Sequence, residues 1–301
     1  MINGTLWKDV DGNDIQAHGG CIIEFENTYY WYGENKGQPN CPGRRRVDVI
    51  GISCYSSKDL VNWKYEGLIL EAEKNDISHP LHTSKVVERP KVVYNEKTKK
   101  FILWMHIDSS DYTLMSTGVA VSDSPTGPFV LVDVSRPNEV DSQDMTIFKD
   151  ESGDAYIIHT TDSDKTLCVT ALDDTFTKAV GDNSLIMAGQ YREAPAVCKY
   201  NDTYYIVTSG CTGWDPNSAL YATSKNIMGD FVLIESPCEG ENYRNTFGGQ
   251  STFIFNVNGT FYLMIDHWKP YDLEHSGYSI LPLEFEKRRM TVRWQNEWLG
   301  I

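Results

Sequence analysis

The amino-acid sequence predicts an all-β protein, a single five-bladed β-propeller that occupies residues 1–301. Aromatic residues are 12% of the chain, and they stand in short runs beside β-branched residues, which favours strands over helices. These runs recur in five similar segments along the chain. Repeats of this size that each supply about four strands are typical of propeller blades around a central channel. A β-sandwich, the alternative, would not explain so regular a repetition.

Each repeat opens with a strand, a polar turn and a second strand rich in aromatic residues. The second strands are predicted to begin at Tyr29, Phe101, Ala155, Tyr204 and Phe261. Turn formers such as Asn201-Asp202 and Asn258-Gly259 separate the paired strands, and Asn-Gly is the strongest short hairpin signal. A third run follows most hairpins and ends before an aromatic residue, as at Trp63, Phe129 and Phe231. No segment has the periodicity of a helix.

Charge and hydropathy exclude several classes of partner. The net charge is -15, which repels phosphate backbones and anionic lipid, so we expect neither nucleic acid nor a membrane as a partner. The first residues lack the features of a signal peptide, which predicts a cytoplasmic protein unless a leader precedes Met1. The basic run Arg44-Arg45-Arg46 is predicted to be a solvated loop, with a local anion or substrate contact as the alternative.

The cysteines indicate a reducing compartment rather than a disulfide scaffold. The chain has seven cysteines, an odd number, and none stands in a Cys-x-x-Cys pair. Four of them lie inside apolar runs, where a thiol behaves as a small hydrophobic group: Cys21, Cys54, Cys168 and Cys198.

The residue that leads into the innermost strand of each blade should lie at one mouth of the channel. Counting back from the second strands gives five polar residues: His18, Glu88, Asp144, Glu193 and Gln250. Three carboxylates that meet in a partly dry channel repel one another, so at least one should stay protonated. That arrangement suits general acid catalysis on an acetal, and the alternatives are a cation site or a plug of hydrogen bonds.

Aromatic residues follow three of the second strands, in loops that should return to the same mouth. They are Tyr112, Trp214 and Trp268. Sugars present apolar C–H faces on which such rings stack. Together with Glu34, Thr212 and His18, these aromatics form the predicted substrate-binding set.

Four segments resemble glycoside hydrolase family 43, a family of five-bladed propellers that cleave glycosides with inversion. They are Glu88-Arg89-Pro90, Ser142-Gln143-Asp144-Met145, Arg192-Glu193-Ala194-Pro195 and Gly248-Gly249-Gln250-Ser251. The resemblance extends from Ala17 to about Trp298. It implies that Glu193 is the general acid and that Asp144 raises its pKa and orients it.

The sequence departs from the usual family pattern at the first blade. An Asp normally opens that blade as the general base, whereas this chain has His18-Gly19-Gly20. The departure, with Glu88 and Gln250, is similar to the subgroup of exo-β-1,3-galactanases. Within that subgroup both Gln and Glu are considered for activating water. The resemblance favours Gln250 for positioning the water and Glu88 for holding the sugar, whereas acid–base chemistry alone makes Glu88 the easier base.

The resemblance therefore implies an inverting exo-β-1,3-galactanase whose partner is an oligo- or polysaccharide. An arabinofuranosidase or a xylosidase of the same family is the nearest alternative, but both normally keep the first-blade Asp. A carbohydrate-binding propeller without hydrolytic activity is the alternative from another class. No cofactor and no metal are predicted, although the family's occasional channel calcium would find a ligand in His267.

Overall fold

A computed structural model describes residues 1–301, and nearly all of its regular structure is β-strand. It contains 21 strands and three short 3₁₀ helices but no α-helix, so the all-β prediction is confirmed. The 3₁₀ helices span Pro137–Glu139, Tyr243–Gly248 and Leu273–His275. None of the helices is long and apolar enough to cross a membrane.

The strands form five separate sheets, which are the five blades predicted from the repeats. The first blade contains β1 (His18–Phe25), β2 (Thr28–Glu34), β3 (Gly51–Ser57) and β4 (Lys64–Glu71). The second contains β5 (Val86–Asn95), β6 (Lys100–Asp108), β7 (Ser116–Ser122) and β8 (Val130–Ser135). The third contains β9 (Met145–Lys149), β10 (Ala155–Thr161), β11 (Thr166–Leu172) and β12 (Ala179–Ile186).

The last two blades follow the same order, with one additional edge strand. The fourth contains β13 (Arg192–Tyr200), β14 (Thr203–Gly210), β15 (Leu220–Ser224) and β16 (Val232–Leu233). The fifth contains β17 (Cys238–Glu239), β18 (Gln250–Val257), β19 (Thr260–His267), β20 (Gly277–Glu286) and β21 (Arg289–Arg293). Within this blade β17 lies parallel to β21, and all the other strand pairs are antiparallel.

The innermost strands of the blades close into a ring around the channel. Contacts run from β1 to β5, then to β9, β13 and β18, and from β18 back to β1. The chain ends complete the closure, because the backbone N–H of Gly4 donates to Tyr278 O and the N–H of Tyr278 donates to Thr5 O. Each of the five largest apolar clusters lies between two neighbouring blades. Packing between blades therefore holds the ring together.

The predicted hairpin turns have the backbone geometry that their residues favour. In the fifth blade, Asn258 and Gly259 join β18 to β19 with φ values of 51° and 85°. Asn201 and Asp202 join β13 to β14 with φ values of 45° and 56°. Two consecutive positive φ angles characterise the type I′ turn, whose twist matches that of the paired strands.

Tryptophans stabilise the junction between the first and last blades. Trp31 on β2 is completely buried and meets the rings of Trp63 and Tyr278 edge-on at 5.3 and 4.8 Å between centroids. We expect Trp31→Ala to lower the free energy of unfolding by about 3–5 kcal/mol, because it leaves a cavity that these rigid rings cannot fill.

Urea denaturation would measure the change at this junction. Ile77→Ala, at a side chain that is 69% exposed, is the matched control and should change stability little. A loss in Trp31→Ala no larger than in this control would show that the junction tolerates repacking.

Candidate active site

A cavity of about 360 Å³ opens at the mouth where the innermost strands begin. Its lining residues are Glu34, Glu88, Arg89, His106, Tyr112, Gln143, Asp144, Asp164, Glu193, Gly213, Trp214, Gln250 and Trp268. Eight of the ten predicted site residues are among them, and the two outside are His18 and Thr212. The backbone differs slightly from the prediction, because Glu88 and Glu193 lie within β5 and β13 rather than before them.

A larger cavity, of about 870 Å³, lies where the innermost strands end, and none of the predicted site residues lines it. Two of its carboxylates form ion pairs: Glu96 with Lys149 at 2.6 Å and Asp150 with Lys199 at 3.1 Å. Burial alone would raise the pKa of both acids. Lys149 nevertheless lowers the pKa of Glu96, and Tyr204 and Lys199 lower the pKa of Asp150. These two acids are held ionised and are unsuited to proton donation. The smaller cavity, which collects the predicted site residues, is therefore the candidate active site.

Glu193 is the carboxyl group that the structure equips to hold a proton. Burial, followed by the negative charge of Asp144, raises the pKa of Glu193 to about 8. Arg89 opposes the rise, and the charge of Asp164 adds to it. A β-bulge immediately after Glu193, with Ala194 at a φ of 53°, turns the side chain toward the channel.

Asp144 is fixed beside Glu193 by two contacts. Its Oδ2 lies 2.9 Å from Nη2 of Arg89, and the backbone N–H of Ala194 donates to the same oxygen at 3.1 Å. The second contact ties Asp144 to the residue that follows Glu193. The Asp144 carboxyl group is therefore held next to the backbone of Glu193.

This geometry makes the pH profile sensitive to Asp144. The resemblance implies that Glu193 is a general acid, which must be protonated to act, so we expect kcat to fall as pH rises through the pKa of Glu193, which is about 8. Asp144→Asn removes a negative neighbour and leaves Arg89 uncompensated, and both changes lower the pKa of Glu193. The alkaline limb of the kcat profile should therefore move to lower pH. A limb that stays in place would show that Asp144 does not tune Glu193.

The side-chain amide of Gln250 makes four hydrogen bonds within the protein. Its Oε1 accepts from Nη2 of Arg89 at 2.6 Å and from Nε1 of Trp268 at 3.0 Å. Its Nε2 donates to Oε1 of Glu193 at 3.0 Å and to Oγ of Ser209 at 2.9 Å. An oxygen that faces two donors disfavours the imidic-acid tautomer, which needs a hydroxyl there. The contact with Glu193 fixes the two side chains relative to each other.

Glu88 lies among donors that keep it ionised. The hydroxyl of Tyr112 donates to Glu88 Oε1 at 3.0 Å, and Nδ1 of His106 lies 3.6 Å from Oε2. Burial alone would raise the pKa of Glu88, but His106, Lys36 and Tyr112 lower it to about 2. A carboxylate has about four acceptor positions, so Glu88 keeps room for a water or a hydroxyl group.

His106 links Glu88 to the loop that carries Tyr112. Burial alone would lower the pKa of His106, but Asp108 and Glu88 raise it to about 9. Nε2 of His106 lies 2.9 Å from Asp108 Oδ2, and Asp108 Oδ1 accepts the backbone N–H groups of Ser109, Leu114 and Met115. Asp108 therefore fixes both the imidazolium and the loop.

The predicted aromatic residues have different surroundings. Trp268 is 8% exposed, donates to Gln250 and meets Trp214 edge-on at 4.7 Å. Trp214 is only partly buried, and Tyr112 is 38% exposed. Tyr112 and Trp214 can therefore present ring surface to a sugar, whereas Trp268 mainly orients its neighbours.

Glu34 closes the cavity on the side of the first blade. Its Oε1 accepts the backbone N–H of Arg89 at 3.0 Å, and its Oε2 lies 2.7 Å from Nζ of Lys36. A Cβ at Gly19 would lie 2.3 Å from Glu34 Oε1, and Gly19 has a φ of 59°, so a side chain there would strain the backbone and displace the Glu34 carboxylate. The start of the first blade, His18-Gly19-Gly20, supplies no acidic side chain to the cavity.

Two predicted substrate contacts are corrected by the structure. His18 is completely buried, with Nδ1 3.2 Å from Asp266 and Nε2 2.9 Å from the Tyr278 hydroxyl, so it supports the blade from below the cavity. Thr212 is exposed and stabilises its own turn, donating to Asp215 O and accepting from Asn217. Neither residue lines the cavity.

The calcium alternative at His267 does not fit the residues present. Its Nδ1 lies 3.2 Å from Gly248 O and its Nε2 lies 2.7 Å from Ser279 Oγ, so both ring nitrogens have protein partners. His267 does not line the cavity. The one group of carboxylates and histidine close enough to share an ion is Asp272, Glu274 and His275, which includes exposed side chains on a 3₁₀ turn.

Sequence reasoning assigned no role to four polar residues of the cavity: Arg89, His106, Gln143 and Asp164. Arg89 and Gln143 stand beside predicted site residues in the quoted motifs, which is the signal that could have found them. His106 lies on β6 and Asp164 follows β10, which are second strands of their blades. The prediction considered only the residues that lead into the innermost strands, so it missed both.

A protonated acid beside ionised carboxylates, under partly exposed aromatic rings, is the equipment of an enzyme that cleaves acetals, a glycoside hydrolase. The sequence profile of glycosyl hydrolases family 43 matches residues 16–277. This chain belongs to that family. No curated protein sequence matches it.

Several solved structures share the fold over almost the whole chain. A β-1,3-galactosidase of family 43, solved with galactodeoxynojirimycin, is 34% identical with a TM-score of 0.92, and 99% of each chain is covered. The exo-β-1,3-galactanase from Phanerochaete chrysosporium, solved with galactose, is 31% identical with a TM-score of 0.89, covering 97% of this chain and 66% of that one. An exo-β-1,3-galactanase from Clostridium thermocellum is 33% identical with a TM-score of 0.85, covering 98% and 65%.

Proposed function

We propose that this glycoside hydrolase is an exo-β-1,3-galactanase, which releases galactose from the ends of β-1,3-galactan with inversion. The raised pKa of Glu193 beside Asp144 is the observation that carries the catalytic part. The substrate is inferred from the similar structures, whose descriptions include β-1,3-galactosidase and exo-β-1,3-galactanase. The chain has His18-Gly19-Gly20 where arabinofuranosidases and xylosidases of the family normally have the first-blade Asp, which disfavours those two activities.

Protonated Glu193 acts as the general acid. Because its Oε1 accepts a hydrogen bond from Gln250, the proton belongs on Oε2, from which it passes to the glycosidic oxygen. The bond between that oxygen and the anomeric carbon breaks, and its electron pair stays with the leaving sugar. The contact between Asp144 and Arg89 keeps Glu193 aligned.

A water attacks the anomeric carbon from the opposite face and loses a proton to a base. Inverting sites separate acid and base by roughly 6.5–9.5 Å to leave room for this water. Gln250 Nε2 lies 3.0 Å from Glu193, which is too close for that role in this arrangement. We therefore assign the water's proton to ionised Glu88, and Gln250 to the alignment of Glu193.

Hydrolysis of β-1,3-galactobiose tests the proposal directly. We expect galactose as the product, released first as the α-anomer, which proton NMR distinguishes before mutarotation. Aryl arabinofuranosides and xylosides should be poor substrates. Their faster hydrolysis would place the enzyme elsewhere in the family, and binding of galactobiose without hydrolysis would indicate a carbohydrate-binding propeller.

A further inference from the structure

A third cavity, of about 170 Å³, adjoins the active-site cavity on the side of the Arg44–Arg46 run. We call it the side cavity. It shares four wall residues with the active site: Glu34, Glu88, Tyr112 and Trp214. The two cavities are therefore direct neighbours, and a substituent on a sugar at the mouth of the first lies within reach of the second.

The two cavities differ in the sign of their excess charge. Five carboxylates line the active-site cavity, Glu34, Glu88, Asp144, Asp164 and Glu193, together with Arg89 and His106. Five cations line the side cavity, Lys36, Arg44, Arg45, Arg46 and Lys85, together with the carboxylates Glu34, Asp48 and Glu88. The whole chain carries a net charge of -15, so a concentration of positive charge beside the active site needs a local reason.

Three of these cations neutralise acidic neighbours. Lys36 lies 2.7 Å from Glu34. Arg45 lies 3.0 Å from Asp215, and Arg46 lies 3.2 Å from Asp48. Glu88, the other carboxylate in the wall, faces His106. Ion pairs with neighbouring carboxylates therefore account for Lys36, Arg45 and Arg46.

Arg44 and Lys85 remain without a partner. Neither side chain forms an ion pair or a hydrogen bond with any other residue, although both line the cavity. Arg44 is exposed and Lys85 is half-buried, so both can turn toward a ligand. Two unpaired cations at the wall of a cavity that is large enough for one sugar ring indicate an anionic ligand of that size.

We propose that the side cavity binds a sugar branch that carries a carboxylate, as in a uronic acid, attached to the galactan backbone. This proposal rests on the proposed function, which assigns β-1,3-galactan as the substrate, and it adds an acidic branch to that substrate. A guanidinium holds a carboxylate through paired hydrogen bonds, which makes Arg44 the expected primary contact and Lys85 a supporting charge.

Two matched oligosaccharides test this site. Both are β-1,3-galactans with one branching sugar, which is glucuronic acid in the first and glucose, obtained by reduction of the carboxyl group, in the second. We expect kcat/KM to be about tenfold higher for the acidic substrate than for the neutral one, mainly because KM is lower. A tenfold change is about what one charge-assisted contact contributes. The preference should shrink in about 0.5 M salt, which screens exposed charges.

Arg44→Ala combined with Lys85→Ala should abolish this preference. Lys74→Ala combined with Lys178→Ala removes two exposed charges elsewhere and is the matched control that should retain it. Equal kcat/KM for the two substrates in the wild type, or a preference that survives in the Arg44/Lys85 variant, would overturn the proposal. A preference for a sulfated branch over the glucuronic acid branch would assign the cavity to sulfate esters instead.

Failure of this site is distinguishable from failure of the galactanase function. Linear β-1,3-galactobiose carries no charge, and its hydrolysis by the wild type reports on the active site alone. Calorimetric binding of the two branched oligosaccharides to Glu193→Gln reports on the side cavity without turnover. Tighter binding of the acidic oligosaccharide, lost on addition of the Arg44 and Lys85 substitutions, would support the side cavity even if galactobiose is not cleaved.

Discussion

Replacement of Glu193 by Gln is expected to lower kcat on β-1,3-galactobiose by about 10³-fold or more, because an amide cannot supply the proton that the leaving sugar requires. The amide oxygen can still accept the hydrogen bond from Gln250, so the cavity should keep its shape. Stability should be unchanged or higher, since the variant no longer buries a group that can ionise. Steady-state kinetics and thermal unfolding would measure the two effects.

An activated substrate separates loss of the acid from general damage to the site. In an aryl β-galactoside, a weakly basic phenolate can leave without being protonated. Glu193→Gln should therefore keep a much larger share of the wild-type activity on this substrate than on galactobiose. Equal losses on the aryl galactoside and on galactobiose, with unchanged unfolding, would argue against Glu193 as the acid.

Much of the fold could be predicted because propeller repeats are local. Each hairpin lies within about 20 residues, and pairs such as Asn258-Gly259 favour the type I′ geometry by themselves. The five-fold recurrence then determines the ring. The β-bulges beside Glu88 and Glu193 were not predicted, although each contains a proline, Pro90 or Pro195, a residue that strands accept mainly at edges and bulges.

The candidate site was predictable where one strand position repeats in every blade. Glu88, Asp144, Glu193 and Gln250 come from that position, and the structure brings them to one cavity. His18 occupies the same position, yet it is buried against Tyr278 and Asp266, because the fifth blade closes over it. The role of Arg89 depends on contacts across blades, with Asp144 and Gln250, which no spacing along the chain shows.

The sequence did not decide whether Glu88 or Gln250 activates the water, and the geometry supports Glu88. Glu88 is ionised and has free acceptor positions, whereas the amide of Gln250 has all four hydrogen bonds within the protein. The pKa of about 2 keeps Glu88 ionised at any ordinary assay pH, so the acid limb of kcat should lie well below pH 4. The same low pKa makes Glu88 a weak base, so its alignment by Tyr112 and His106 is essential to the assignment.

Glu88→Gln is therefore expected to lower kcat by about 10³-fold, and azide should restore turnover with formation of a galactosyl azide of inverted configuration. Gln250→Ala should cost less, about 10²-fold, and should shift the alkaline limb because Glu193 loses its partner. Gln250→Glu is the matched control, since it keeps the length of the side chain but places another carboxyl group against Glu193. If Gln250→Ala is inactive while Glu88→Gln mainly raises KM, then Gln250 positions the water and Glu88 holds the sugar.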